Sequence, residues 1–257
     1  MAGNCGIVTL DNIARCFGNA LPHTYQEHAL AQKLICRKLA GMLRDSKELQ
    51  YQSVLEIGCG TGNLTRWLKE MCIIRQWTLN DLCPDCKKMV SSLLSGEKWQ
   101  FRAGDASRMD FEGSFDLIAS ASVFQWIADL GSFICKLHGL LNAGGVLLFN
   151  SFLPGNLYEI VELTGKGLSY PGGNAVRNML SKYFRVEDFQ SEDIVLTFNS
   201  PKEVLEHMKQ TGVNATGGEL WTPGKLKRFC KAYEERFSEN GKVFLTYRPY
   251  YVLAKRK

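Results

Sequence analysis

No run of eighteen or more apolar residues occurs in this 257-residue chain, so the sequence offers no helix for crossing a bilayer. No N-terminal leader is expected from the pattern of the first residues either. The first twenty residues hold a single basic side chain, Arg15, and no apolar block ahead of a small-residue cleavage site. That pattern predicts a cytoplasmic protein. Histidine is scarce at four residues, and neither an HxxxH pair nor a second CxxC accompanies Cys83-Pro84-Asp85-Cys86. Tetrahedral zinc would need ligands beyond that pair, so no metal is expected. The spacing instead reads as a loop running into a helix, with Pro84 at its first position and Asp85 favouring its positive end. Nine cysteines, an odd number at irregular spacing, exclude a paired disulfide framework and predict reduced thiols.

What is present is ordinary globular material. A hydrophobic fraction of 45% against 22% charged residues excludes both a disordered chain and a membrane protein. The net charge of +5 is unevenly placed: Trp221 to Lys257 carries ten basic and three acidic residues, and the rest of the chain is slightly acidic. Such asymmetry suits an acidic partner or substrate, or equally a solvated helix face.

Residues Asp11 to Asp45 predict two helices broken at Pro22; in the second, Ala29, Leu30, Leu34, Ile35, Leu39 and Leu43 recur at helical spacing. From Ser53 short apolar runs alternate with helical segments, the mark of βαβ units. Strands are expected at Ser53–Ile57, Gln76–Asn80, Trp99–Ala103, Phe115–Ala119 and Gly145–Asn150, with helices at Asn63–Met71, Cys86–Leu94 and Ser132–Leu140. Further on, Leu157–Gly165, Ala175–Tyr183, Pro201–Thr211 and Lys225–Phe237 read as helices, and Asp193–Phe198 and Tyr250–Ala254 as strands. No repeat or linker divides the chain. A single domain is expected: residues 1–50 a helical cap, 51–152 a ligand-binding core, 153–242 a helical insertion and strand, and 243–257 the last strand.

The sharpest signal is Val54-Leu55-Glu56-Ile57-Gly58-Cys59-Gly60-Thr61-Gly62-Asn63. A strand runs into a loop with glycine at every second position, which lets a ligand pack on bare backbone. The GxGxG spacing is not the GxGxxG of a pyrophosphate loop, and no Lys-Ser/Thr pair completes a P-loop. Glu56 would repel a phosphate and suits a cation. Asp81, followed by Leu82, closes the second strand, where a carboxylate can accept ribose hydroxyls. Gly104-Asp105-Ala106 closes the third, where an acid can accept an adenine amino proton. Each aspartate alone fits a solvated turn; the three acids at consecutive strand ends do not fit that alternative together.

This combination resembles the class I methyltransferases over Ser53 to about Ser151. The resemblance implies a Rossmann-like α/β fold: a mostly parallel seven-stranded sheet, helices on both faces and an antiparallel last strand. It implies S-adenosylmethionine as methyl donor, held by Glu56, Gly58, Gly60, Gly62, Asp81, Leu82, Asp105, Ala106 and Ser120. The segment Ser120-Ala121-Ser122-Val123-Phe124-Gln125-Trp126 should line the transfer site, with Gln125 and Trp126 its polar and aromatic candidates; Phe124 and Trp126 also fit a core. No proline stands there, against the Asn/Asp-Pro-Pro-aromatic motif of enzymes acting on amino nitrogens.

Outside the sheet core, further segments resemble one family, the malonyl-carrier-protein O-methyltransferases of biotin synthesis. They are Ile13-Ala14-Arg15-Cys16-Phe17-Gly18, Tyr25, His28-Ala29 with Gln32-Lys33, Phe124-Gln125-Trp126, Met208 to Thr216, and Leu245-Thr246-Tyr247. One departure is Gly217-Gly218, where the family often carries a basic residue or histidine. The resemblance implies methylation of the free carboxylate of a malonyl thioester on an acyl carrier protein, or on coenzyme A. A carboxylate is already ionised at neutral pH, so no general base is required, and no Ser-His-Asp or Cys-His set is evident. Tyr247 and Arg248 are the candidates for the substrate carboxylate, Arg248 fitting a solvated strand flank equally. Tyr25 and Gln32 would close over the cofactor from the N-terminal helices, and His28 reads as structural. The basic C-terminal third would dock an acidic carrier protein. The rival enzyme reading is methylation of a free small dicarboxylic acid or a quinone. Nucleic-acid methylation lacks the aromatic-basic interleaving of single-strand binders. A non-catalytic cofactor-binding protein would not need the full acidic set.

Overall fold

Short apolar runs become buried strands through the first half of the chain. In the computed structural model, which describes residues 29–212 and 222–257, β1 (Gln50–Ile57) ends in four buried residues, Val54 to Ile57. There follow β2 (Ile73–Asp81), β3 (Trp99–Ala103), β4 (Phe115–Ser120) and β5 (Leu141–Phe152). Helices alternate with them: α1 (Leu30–Asp45) before β1, α2 (Asn63–Met71), α3 (Cys86–Ser91) and α4 (Leu130–Leu140). After β5 come α5 (Tyr158–Thr164), α6 (Gly173–Ser181), β6 (Phe184–Ser191), β7 (Ile194–Phe198), α7 (Pro201–Gln210) and α8 (Pro223–Arg236). The chain closes with β8 (Ser238–Glu239), β9 (Lys242–Tyr247) and β10 (Pro249–Arg256).

The main sheet has seven strands in the order β3-β2-β1-β4-β5-β10-β6. β1 to β5 pair in parallel, and β10 runs antiparallel to both β5 and β6. This is the expected class I methyltransferase fold, a mostly parallel sheet with an antiparallel last strand. Because the order reverses at β1, right-handed crossovers put helices on opposite faces to either side of that point. One face packs Phe133, Ile134 and Leu137 of α4 and Val176 and Leu180 of α6 on Leu55, Ile57, Ile118 and Phe149. Ile35, Leu39 and Leu43 of α1, Leu64 and Leu68 of α2 and Val90 of α3 are also buried; Leu30 and Leu34 of α1 are exposed.

The sixth sheet position differs from expectation. Asp193–Phe198 was the strand read there, whereas the sheet is completed by Phe184–Ser191 and Ile194–Phe198 joins a separate three-stranded sheet, β7-β9-β8. The reason is burial. β6 is an edge strand whose polar side chains stay largely solvated, only Phe184 being buried, so its sequence Phe-Arg-Val-Glu-Asp-Phe-Gln-Ser carries little apolar signal.

The chain divides into two compact units. One comprises Gln32–Leu153, Tyr170–Glu192 and Pro249–Lys257, with the seven-stranded sheet; the other includes Pro154–Ser169 and Asp193–Arg248. In the second unit α7 packs on β7, β9 and α8, burying Val204, Met208, Phe229, Tyr233 and Leu245. Its helices start on side-chain caps: Ser200 accepts from the Glu203 amide, and Thr222, followed by Pro223, accepts from the Lys225 amide. Leu245-Thr246-Tyr247 is built into this unit. Leu245 is fully buried, Thr246 Oγ1 donates to buried Glu159 at 2.6 Å, and Tyr247 Oη lies 2.9 Å from His207 Nε2. Burial raises the Glu159 carboxyl above its ordinary value, against the pull of that Thr246 hydroxyl.

Candidate active site

Parallel register brings the carboxyl ends of five strands side by side. Ile57 is level with Asn80 of β2 and Ser120 of β4; Asp81 is level with Ala103 of β3, and Ser120 with Phe149 of β5. In an open parallel sheet ligands bind at this edge, outside the point where strand order reverses. That point lies between β1 and β4.

The glycine loop is held there by β2. The Asn80 carbonyl accepts from the Gly58 and Cys59 amides at 2.8 and 3.0 Å, and Asp81 Oδ2 accepts from the Gly60 amide at 2.8 Å. A side chain at Gly58 would collide with Val123, and one at Gly62 with Leu93. Gly60 is different. Its φ is +52°, and a Cβ there would meet nothing within 4 Å. The loop therefore keeps bare backbone beside open space, as a close-packed ligand requires.

Glu56 is 1% exposed and accepts from Thr65 Oγ1 at 2.7 Å. Burial pushes its carboxyl up to about 8, against the pull of the Thr65 hydrogen bonds. Asp81 is raised as well, burial again outweighing the amides of Cys83 and Gly60. Its Oδ1 accepts from the Cys83 amide at 2.8 Å. Both Asp81 oxygens are thus held by backbone N–H groups. The thiols of Cys59 and Cys86 are pushed up by burial and by the Asp81 charge. Pro84 and Asp85 sit in a turn, the helix beginning at Cys86. Among the described residues no group of three or more His, Cys, Asp or Glu is placed to hold a metal.

At the end of β3, Asp105 Oδ1 accepts from the amide and hydroxyl of Ser107 and Oδ2 pairs with Arg108 at 3.3 Å. Ala106 is buried. Two residues unmarked by the sequence reading build this loop. Asn80 Nδ2 donates to the carbonyls of Arg102 and Gly104, both at 2.9 Å. Lys136 Nζ, from α4, donates to the carbonyls of Ala106, Ser107 and Met109. Neither had a sequence signal, since each acts on backbone distant in the chain.

At the end of β4, Ser120 Oγ donates to the Ile57 carbonyl at 2.8 Å. Phe124 is core, stacked on Phe149 at 4.2 Å and edge-on to Phe133 at 5.2 Å. Gln125 and Trp126 are half-buried in a short helical turn, and Gln125 Nε2 donates to the Ser122 carbonyl at 2.7 Å. Asn150, fully buried at the end of β5, accepts from the Ser122 amide at 2.8 Å. Its signal was present: a polar residue ending the apolar run Val146-Leu147-Leu148-Phe149 is costly to bury without a partner. Buried Gln32 Oε1 and Thr61 Oγ1 have no hydrogen-bond partner among the described residues.

The edge thus brings together Glu56, Gly58, Gly60, Gly62, Asp81, Leu82, Asp105, Ala106, Ser120, Gln125 and Trp126. Tyr247 and Arg248 lie in the other unit, where Arg248 Nε donates to Asp193 Oδ1 at 2.9 Å and Nη1 to the Pro154 carbonyl at 3.3 Å. Tyr25, His28 and the segments at 13–18 and 213–218 lie outside the described residues.

Comparison with known proteins agrees with this fold. A family model described as a methyltransferase domain matches residues 55–149. A solved N-methyltransferase, NodS from Bradyrhizobium japonicum in complex with S-adenosyl-L-homocysteine, superposes with a TM-score of 0.57 at 14% identity. It covers 96% of this chain and 99% of its own, and so shares the fold. The malonyl-[acyl-carrier protein] O-methyltransferase of Haemophilus ducreyi is 38% identical over 91% of this chain and 92% of its own. That of Porphyromonas gingivalis is 45% identical over 95% of this chain and 94% of its own. At such identity, running nearly end to end through both units, the chain belongs to the malonyl-[acyl-carrier protein] O-methyltransferase family.

Proposed function

We propose that the protein is an S-adenosylmethionine-dependent carboxyl O-methyltransferase that esterifies the free carboxylate of a malonyl thioester on an acyl carrier protein. The observation that carries this is the end-to-end likeness to enzymes bearing that name, which favours a carrier-bound acceptor over a free dicarboxylic acid or a quinone. The reaction places the protein at the start of biotin precursor synthesis.

The sheet edge fits the donor. Gly60 leaves open space beside bare backbone, buried Glu56 offers a carboxylate for a cation, and Thr61 Oγ1 has no partner among the described residues; Gln32 of α1 is assigned to close over the donor. Asp81 with Leu82 is assigned the ribose, Asp105 with Ala106 the adenine, and Gly58, Gly62 and Ser120 the remaining contacts. When bound, S-adenosylmethionine supplies an electrophilic methyl group on a positively charged sulfur. The acceptor carboxylate is ionised at neutral pH, so the chain's residues need only orient it and exclude water. Gln125 and Trp126 are assigned to that task, and Tyr25, Tyr247 and Arg248 to the acyl substrate.

The carrier is proposed to be acidic and to meet α8, where Lys225, Lys227, Arg228 and Lys231 are exposed. Lys227, Arg228 and Lys231 share one helical face. Among the described residues no helix is long and apolar enough to cross a membrane, and seven cysteines are free thiols; a cytoplasmic setting suits them. The test is methyl transfer from labelled S-adenosylmethionine to malonyl-carrier protein, malonyl-coenzyme A and free malonate side by side. Preference for the carrier is expected; preference for free malonate would overturn the reading.

A further inference from the structure

Beside the glycine loop, β4 and β5 end in a polar cluster that the donor does not account for. Ser122 takes a left-handed backbone conformation, φ 58°, which a residue with a side chain holds only where its surroundings impose it. They do so from both sides. Its amide donates to Asn150 Oδ1 at 2.8 Å, and its carbonyl accepts from Gln125 Nε2 at 2.7 Å. The next residue, Val123, lies directly against Gly58, so Ser122 is fixed next to the glycine loop.

What is fixed there is unfinished. Asn150 is 0% exposed, and because its Oδ1 serves the Ser122 amide, its Nδ2 is the uncommitted end. Among the described residues neither Asn150 Nδ2 nor Ser122 Oγ has a hydrogen-bond partner, though both atoms are buried. Buried donors are nearly always paired in native proteins, and an orphan is destabilising. Ser120, two residues earlier, shows that the edge can satisfy a hydroxyl, since its Oγ donates to the Ile57 carbonyl. Two orphan donors, one on a strained, doubly braced residue and one on the asparagine that braces it, thus call for an acceptor.

We propose that Ser122 Oγ–H and Asn150 Nδ2–H hold the acceptor's free carboxylate, an assignment that rests on the carboxyl-methylation reading above. Two neutral donors suit the task. They orient an anion by charge-assisted hydrogen bonds, yet leave its charge less quenched than a guanidinium would, and so leave it nucleophilic. They also set specificity. An acyl thioester without a terminal carboxylate would leave both donors unpaired, and sites built to hydrogen-bond a group discriminate strongly against analogues lacking it.

The test uses Ser122→Ala and Asn150→Asp, the latter keeping an oxygen for the Ser122 amide while removing the donor. Binding of malonyl-carrier protein and acetyl-carrier protein to the protein loaded with S-adenosylhomocysteine is measured by calorimetry, alongside S-adenosylhomocysteine affinity. Each variant should weaken malonyl-carrier binding about tenfold or more, leaving acetyl-carrier binding and S-adenosylhomocysteine affinity unchanged. Should Asn150→Asp fail to fold, Ser122→Ala, which loses one oxygen atom, decides alone. Wild-type affinity for malonyl-carrier protein in Ser122→Ala overturns the proposal, as does an equal loss for both carriers, which marks a structural role. A wild type that does not distinguish malonyl from acetyl carrier overturns the malonyl reading itself and this assignment with it.

Discussion

The two halves of the sheet edge are built by opposite means. At β1, β2 and β3 the work is done by backbone and acids: bare glycine at Gly60, buried Glu56, and Asp81 and Asp105 turned onto neighbouring amides. At β4 and β5 it is done by neutral side chains, Ser122, Gln125 and Asn150, bracing one another. The first half is legible in a single sequence because glycines at alternate positions and acids at strand ends are uncommon for any other reason. The second is not, because Ser and Asn at a strand end look like any turn. The difference suits the division of labour. On the proposed assignments, a donor common to many enzymes would fit a recurrent cradle, and an acceptor peculiar to one family would be met by residues with no general signature.

The strongest break of the donor half is Gly60→Val. The position combines φ +52° with open space where a side chain would go, so a branched residue is strained by its backbone and obstructs the ligand. S-adenosylmethionine binding should fall by about a hundredfold or beyond detection, more than the 1–2 kcal/mol of backbone strain alone explains. Calorimetry on a folded variant that binds normally would remove the loop from the donor site.

Glu56→Gln tests the charge of that half through pH. In the ligand-free protein burial lifts Glu56 from its ordinary 4.5 to about 8, with Cys36, Cys59, Thr65 and Asp81 as its neighbours. The folded state then holds a proton that the unfolded state releases, so this residue's contribution to stability falls as pH rises from about 4.5 to about 8. One proton corresponds to about 1.4 kcal/mol per pH unit within that window. Relative to Glu56→Gln, the wild type should lose on the order of 3 kcal/mol between pH 5 and pH 8 in urea melts. Parallel curves for the two proteins would mean that Glu56 is ionised in the empty protein.

How far the sequence reaches is clearest at Lys136. The strands of the donor half, its glycine loop and its acids follow from local pattern, as did α2, α4, α7 and α8 to within a few residues. What local pattern cannot convey is tertiary reach. Lys136 on α4 ties down carbonyls near Asp105, nearly thirty residues away, and β6 was missed because an edge strand need not be apolar. Leu245-Thr246-Tyr247 shows the converse. It carried the family resemblance, yet its described contacts hold the second unit together. Lys136→Met should cost about 1.5–3 kcal/mol for loss of the charged hydrogen bonds and weaken S-adenosylmethionine binding in step. A variant that melts earlier but binds the donor normally would show that the loop near Asp105 does not need this anchor.

The smallest effect expected lies outside both halves, on α8, and it separates them from carrier docking. Lys227 and Arg228 are exposed, and Lys231 is held only loosely by Glu235 at 3.7 Å. Exposed charges of this kind contribute little to folding but act over a Debye length of about 8 Å at physiological salt. Reversing all three to Glu should therefore leave thermal stability and donor affinity unchanged. It should slow association with an acidic malonyl-carrier protein several-fold at low salt, mainly through the on-rate. The difference should shrink as salt rises, since screening removes the steering that the wild type possesses. Malonyl-coenzyme A, which lacks a protein surface, should respond less to the same substitutions. Stopped-flow association at two salt concentrations decides it. Equal on-rates for wild type and the triple variant at low salt would leave this face of α8 as solvated surface, and the carrier would have to dock elsewhere.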